Sequence, residues 1–260
     1  MLEVDPVSVT VIAEPGCTHE GSYESMVRLI HVAADAGCDV FKNQWMSDPD
    51  EVCRMRKAPN YLPFYRWLDY PLSWHASLAR ACRESGMAYA CSTYTAEDRA
   101  AVDDFVSLHK IASFENEKRP SEAGKPVLIG AGMLTHEELL SLTFDSVGVL
   151  QCTSSYPAPL ESLQLATIPY YGLAGLSDHS RDLDIGAFAV CAGAQFIEVH
   201  MRLDDCDPKN PDYAVAFSPS ELTAYVAKIR KAERAMGDPV KRIHPCEQDM
   251  LRYKVKVNGI

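Results

Sequence analysis

Short β-branched or apolar runs alternate with stretches whose apolar residues recur every three or four positions, and this alternation covers most of the chain. Val9-Thr-Val-Ile-Ala-Glu14 is one such run and stops at Pro15-Gly16, which predicts a strand and then a turn. Ser22 can cap the helix that follows, because Met26, Leu29, Ile30 and Ala33 share one of its faces. Gly37 closes that helix, and Cys38 to Gln44 reads as the second strand. Trp45 to Pro71 shows no period and reads as a long loop. Beyond it the pattern predicts a helix over 73–86, a strand from Met87 to Thr93 and a helix from Ala96 to Phe105. Further strands run from Leu108 to Ser113, Lys125 to Gly132, Val147 to Cys152, Leu173 to Ser177 and Gln195 to His200. Ser218-Pro219-Ser220-Glu221 joins an N-cap, a first-turn proline and a capping-box glutamate, and opens a last helix whose apolar positions Leu222, Val226, Ile229 and Met236 mark one face.

The unit of helix, glycine and strand recurs at Gly37, Gly86, Gly124 and Gly193, where glycine relieves the left-handed turn that ends a helix. Eight strands alternating with helices in 260 residues predict an α/β fold, a compact (β/α)8 TIM barrel over 1–240 with a tail over 241–260. The segments after strands four, five and six are short, so their helices should be only one or two turns long. A doubly wound sheet is the competing topology, but Glu14-Pro-Gly-Cys-Thr-His-Glu-Gly21 lacks the spacing of a dinucleotide fingerprint.

Charge narrows the function classes. A formal net charge of -11 argues against a nucleic-acid surface, although a few local cations can still hold a small anion. Nine cysteines with no C-x-x-C pair fit a reducing, cytoplasmic setting rather than a disulfide framework. No leader pattern opens the chain, and the apolar run Ile185 to Ile197 falls short of the roughly 20 residues of a membrane span.

In a barrel the chemistry sits at the C-terminal strand ends. There the sequence offers Glu14, Lys42, Gln44, Ser92, Thr93, Lys110, Ser113, Thr153, Ser154, Tyr156, Ser177, Asp178, His179, Glu198 and His200. A lysine inside an apolar strand is costly unless it meets an anion or a carboxylate, so Lys42 and Lys110 either bind a ligand or pair internally. His179 and His200 stand 21 residues apart, too far for one helix but right for neighbouring strand ends, where two imidazoles could share a divalent metal. His19, His31, His75, His136 and His244 read as surface or packing residues, and strand alternation turns His109 toward the helices when Lys110 faces inward. Asp178 by the same rule points to the helices or caps the strand.

The ordered set Ile12-Ala-Glu-Pro-Gly-Cys-Thr-His-Glu-Gly21, Phe41-Lys-Asn-Gln44, Lys110-Ile-Ala-Ser113, Gly124-Lys-Pro126, Cys152-Thr-Ser-Ser-Tyr-Pro-Ala-Pro159, Gly175-Leu-Ser-Asp-His179 and Ile197-Glu-Val-His200 resembles the N-acetylneuraminate (sialic acid) synthase family. That resemblance implies condensation of phosphoenolpyruvate with an open-chain N-acylated sugar aldehyde to give a 2-keto-3-deoxy sugar acid and phosphate. It implies a divalent metal, usually Mn2+ with Mg2+ or Co2+ as alternatives, on His179 and His200. It also implies that Lys42, Lys110, Ser113, Ser154 and Ser177 hold phosphoenolpyruvate, that Thr93 and Tyr156 line its pocket, and that Glu14 and Asp212 face the sugar and water side, with Glu14 handling a proton.

The chain departs from the family at Ser154, where Asn is common, at Gly130-Ala131, where Ser-Thr is common, and at Asn210-Pro-Asp212, which keeps the aspartate of Gly-Pro-Asp. The family continues into a C-terminal antifreeze-like domain, whereas this sequence ends at Ile260 just past a linker-like segment, so the expectation is a catalytic barrel whose cover comes from a homodimer or a separate lid protein. Two other readings stay open: a lysine Schiff-base aldolase using Lys42 or Lys110, and a non-catalytic barrel that binds metal or sugar phosphate.

Overall fold

The computed structural model describes residues 8–115, 125–142 and 147–255. Eight parallel strands close in sequence order into a barrel: β1 Thr10–Glu14, β2 Val40–Gln44, β3 Ala88–Ser92, β4 Leu108–Ile111, β5 Val127–Gly130, β6 Val147–Cys152, β7 Gly175–Asp178 and β8 Phe196–His200. The ring shuts where β1 pairs with β8, Glu14 lying beside His200 in register. Every predicted strand is present, most of them starting a residue or two later than predicted.

The helices follow the same order: α1 Tyr23–Asp35, α2 Pro49–Arg56, α3 Leu62–Tyr65, α4 Trp74–Glu84, α5 Ala96–Val102, α6 His136–Ser141, α7 Thr167–Tyr171, α8 Ile185–Cys191 and α9 Pro219–Met236. Ser22 caps α1 through Ser25 N, and the Ser218–Glu221 capping box opens α9. Gly37, Gly86 and Gly193 take φ of +85°, +78° and +98°, as their helix-ending role requires. Gly124 lies outside the described residues, as does most of the segment after β4. The helices expected to be short after β5 and β6 are short, six residues in α6 and five in α7.

Two local expectations are corrected. The stretch from Trp45 to Pro71 is not plain loop, for it holds α2, a 3-10 turn Pro59–Tyr61 and α3. Asp48 caps α2 on Glu51 N at 2.9 Å and Pro49 fills its first turn, but only Pro49, Val52 and Cys53 are buried, too few to show a period. The helix after β3 ends at Val102 rather than Phe105.

Apolar side chains pack on both surfaces of the sheet. Outside, Val11, Phe41, Cys91, Leu176 and Ile197 meet the helices. Inside, Ile12, Val40, Ala90, Leu108, Leu128 and Leu150 plug the N-terminal half of the barrel. Burying such side chains stabilises by about 1.5–3 kcal/mol each and closes the floor to water. The apolar plug stops midway, and the next inward layer is polar.

His19 and His75 are fully buried packing residues, while His31, His136 and His244 are exposed. His109 faces outward, 2.7 Å from Asp103, as alternation requires. Asp178 also faces the helices, accepting from Tyr225 of α9 at 2.7 Å and from Ser180 N at 2.8 Å.

Candidate active site

Above the apolar plug lies a cavity of about 610 Å3 that opens at the C-terminal strand ends. Period-two alternation sends one side chain per strand into each layer. Glu14, Lys42, Lys110, Ser113, Ser154, Tyr156, Ser177, His179, His200 and Asp212 all line it. Thr93 is buried but is not part of the lining. Ser92 takes that place, because register sets it beside Gln44 on the inward face, and its hydroxyl accepts from Lys42 at 2.8 Å.

The floor of the cavity is a charge network. Lys42 Nζ lies 2.6 Å from Glu14 Oε1 and 3.1 Å from Glu198 Oε1, and Lys110 Nζ lies 3.4 Å from Glu198 Oε2. Ser177 donates to Glu198 Oε2 at 2.7 Å. The internal pairing expected of the lysines is present, and the same two side chains line the cavity. Burial alone would raise Glu198, yet the ammonium groups of Lys110 and Lys42 hold it far below its ordinary range. Burial likewise opposes the charge on Lys42, but Glu14 and Glu198 keep it above its ordinary value, so it is a firm ammonium rather than a free amine.

One wall carries the histidines. Their ring centroids are 5.3 Å apart, with the Tyr156 ring 4.3 Å from His179 and 6.1 Å from His200. His179 Nδ1 donates to the Thr153 carbonyl at 2.8 Å, and Cys152 Sγ lies 3.7 Å from the same nitrogen. Burial opposes the imidazolium, but the Cys152 sulfur and the Thr153 carbonyl draw His179 up to about 9. Glu14 Oε2 stands 3.8 Å from His200 Nε2, while His200 Nδ1 is buried with no hydrogen-bond partner.

Asp212 reaches the cavity from the loop after β8. Its Oδ2 accepts from Cys17 N at 2.8 Å and lies 3.0 Å from Cys17 Sγ, which ties the β8 loop to the β1 loop. In another corner of the cavity, Ser113 Oγ accepts from Gly132 N at 3.1 Å, and Ser154 Oγ is buried without a partner. Gly130 and Gly132 keep this corner open, since a Cβ on Gly132 would stand 2.3 Å from Ser154 Oγ.

Sequence reasoning gave no role to Glu198, although it lies two residues before His200 on the same strand face and so had to point inward. It also missed Arg56, Tyr65, Tyr94 and Phe114. The Arg56 guanidinium lies 4.7 Å from the Tyr94 ring centre and 5.2 Å from that of Phe114, and it pairs with Glu115. Arg56 and Tyr65 come from the excursion after β2, whose helices left no periodic signal, whereas Tyr94 and Phe114 come from the segments just past β3 and β4.

The NeuB family profile matches residues 29–241. The chain belongs to the NeuB family. It is 28% identical to N,N'-diacetyllegionaminic acid synthase of Campylobacter jejuni subsp. jejuni, covering 92% of this chain and 80% of that protein. It is 27% identical to human N-acetylneuraminate-9-phosphate synthase over 91% of this chain and 74% of the relative. Spore coat polysaccharide biosynthesis protein SpsE of Bacillus subtilis is 30% identical over 95% and 73% of the two chains. Among solved structures, the N-acetylneuraminic acid synthetase of Leptospira borgpetersenii superposes with a TM-score of 0.84 at 22% identity, covering 95% of this chain and 91% of that one, and so shares the barrel fold. By these relationships the chain is an enzyme of the sialic acid synthase-like class, acting in sugar-acid biosynthesis.

Proposed function

We propose that this enzyme joins C3 of phosphoenolpyruvate to the aldehyde carbon of an open-chain N-acylated sugar, giving a 2-keto-3-deoxy sugar acid and phosphate. The observation that carries this reading is the convergence of Lys42, Lys110 and the Ser113–Ser154 corner on one cavity that also holds His179 and His200. An ammonium pair with hydroxyl donors suits a small polyanion. The two lysines are already balanced by Glu14 and Glu198, so the ligand binds through their remaining N–H bonds and the hydroxyls rather than through a large surplus of positive charge.

Attack by C3 leaves cationic character at C2 and negative charge on the former aldehyde oxygen. Water adds at C2 and loses a proton, the aldehyde oxygen gains one, and the hemiketal phosphate collapses with C–O cleavage. Glu14 Oε2 is the base that handles this proton traffic, and Asp212 orients the acceptor from the neighbouring loop after β8. Because Lys42 is held as an ammonium by Glu14 and Glu198, a Schiff-base route through Lys42 is disfavoured.

His179 and His200 fit a divalent metal. Thr153 takes the His179 Nδ1 proton, so a metal that displaces the proton held on Nε2 would bind there, and His200 Nδ1 is buried without a partner. A Cβ on Gly16 would come within 2.2 Å of Asp212 Oδ2 and 3.2 Å of His200 Nδ1, so glycine leaves open space beside both groups. Among the described residues no three or more His, Cys, Asp or Glu form a group that could hold a metal by themselves, so water and the acceptor would have to complete the shell. Imidazole with oxygen donors suits Mn2+ or Co2+ better than Mg2+, which favours an all-oxygen shell. Such a cation would polarise the acceptor aldehyde. A cytoplasmic setting supplies phosphoenolpyruvate, and a second copy or separate protein could cover the mouth.

The test is phosphate release from phosphoenolpyruvate with Mn2+ across N-acyl hexosamines and simple aldoses. We expect release with an N-acylated acceptor and its loss on chelation. Bound metal with no release for any acceptor would favour the binding-barrel alternative.

A further inference from the structure

We propose that Tyr94 is a positioning residue that fixes, through Gln44, which oxygen of Glu14 faces the reacting groups. The inference rests on the assignment of Glu14 as the proton-handling residue. Glu14 Oε1 receives two donors, Lys42 Nζ at 2.6 Å and Gln44 Nε2 at 2.6 Å. Its Oε2 is therefore the oxygen left toward His200, 3.8 Å away, and toward the cavity.

Gln44 can hold Oε1 in only one sense. An ionised carboxylate accepts and does not donate, so Gln44 must present its NH2 group and turn its carbonyl away. That carbonyl meets the Tyr94 hydroxyl, which donates to Gln44 Oε1. Without the hydroxyl, the carbonyl would lose its partner in a buried site, and the amide could rotate its oxygen toward Glu14.

Tyr94 is itself held from the mouth. Its ring lies beneath the Arg56 guanidinium and stacks with Tyr65 at a centroid distance of 6.4 Å. Arg56 Nη1 donates to the Tyr65 hydroxyl at 2.6 Å and pairs with Glu115. Tyr94 stands two residues beyond Ser92 on the same inward side of β3, which puts its hydroxyl at the end of Gln44. The arrangement runs from α2 and α3 through Tyr94 and Gln44 to one oxygen of Glu14.

The test is a double-mutant cycle on the full chain with Tyr94→Phe, Gln44→Met and the pair, read as kcat and KM for phosphoenolpyruvate, beside crystal structures of wild type and Tyr94→Phe. Tyr94→Phe keeps the ring under Arg56 and removes only the hydroxyl. It should lower kcat about tenfold with KM for phosphoenolpyruvate within about twofold, since misplacing a reacting group mainly affects the chemical step. In the Gln44→Met background the same change should have almost no further effect, because coupled residues are not additive. In the Tyr94→Phe crystal, Gln44 should rotate and Glu14 Oε1 should lose its amide contact. Multiplicative losses in the cycle, or an unmoved Gln44–Glu14 contact in the crystal, would overturn the proposal. If wild type releases no phosphate with any acceptor, the functional assignment fails separately, and the crystal comparison alone still decides whether Tyr94 holds Gln44.

Discussion

Lys42 Nζ and Glu198 Oε1 lie 3.1 Å apart, and both side chains are only 2% exposed. A pair this deep owes its stability to mutual neutralisation, so its members cannot be removed singly without leaving a bare charge.

Glu198→Gln should therefore destabilise the fold by about 3–5 kcal/mol, measured by urea unfolding at pH 7, the usual cost of breaking a buried ion pair. The acid limb gives a second reading. Burial opposes the Glu198 charge, but Lys110 and Lys42 hold its pKa far below the ordinary 4.5. Its stabilising contribution is then complete above pH 4.5 and is lost as pH falls below that value. The variant should show a shallower loss between pH 4.5 and lower values, and an unchanged acid limb would contradict the assignment.

Glu14→Gln keeps the shape of the side chain but removes its capacity to take a proton. Turnover should fall by about 10²–10⁴, the usual contribution of a general acid–base group. Mn2+ content after dialysis should match wild type, because the two imidazoles remain. Near-normal turnover would remove Glu14 from proton handling.

Gly132→Ala places a methyl group 2.3 Å from Ser154 Oγ and 2.7 Å from Ser113 Oγ, where the protein must shift. We expect KM for phosphoenolpyruvate to rise about tenfold, about 1.4 kcal/mol of lost binding, with a smaller change in kcat. An unaltered KM would mean that this corner does not hold the anion.

Tyr225→Phe removes the hydroxyl that Asp178 accepts at 2.7 Å behind the site. Burial already pushes the Asp178 carboxyl above its ordinary range, and Tyr225 opposes that push. The variant should lose about 1–3 kcal/mol of stability, the cost of an unsatisfied buried acceptor. Turnover at 25 °C should stay near wild type, since Asp178 faces α9 rather than the cavity.

The barrel was legible because strand and helix periods alternate cleanly and glycines mark the turns between them. His179, His200, Lys42 and Lys110 were legible for the same reason: costly side chains stood at strand ends. Glu198 had an equally clear position, but its role comes from sharing Lys42 and Lys110, a relation across three strands that no local pattern records. Ser92 and Thr93 are adjacent, and only the pairing of Ser92 with Gln44 decides which one faces inward. Arg56 and Tyr65 were hidden more deeply, because α2 and α3 are short and held by a cap and aromatic contacts rather than by a repeating apolar face.

The excursion from Trp45 to Pro71 enters and leaves the barrel between β2 and α4, and contributes Met55, Arg56, Tyr61, Phe64 and Tyr65 to the mouth but no residue to the charged floor. Substitutions there can reshape the entrance while the lysines and histidines stay on their strands. The entrance and the charged floor thus belong to separate parts of the chain, and each can diverge without dragging the other along.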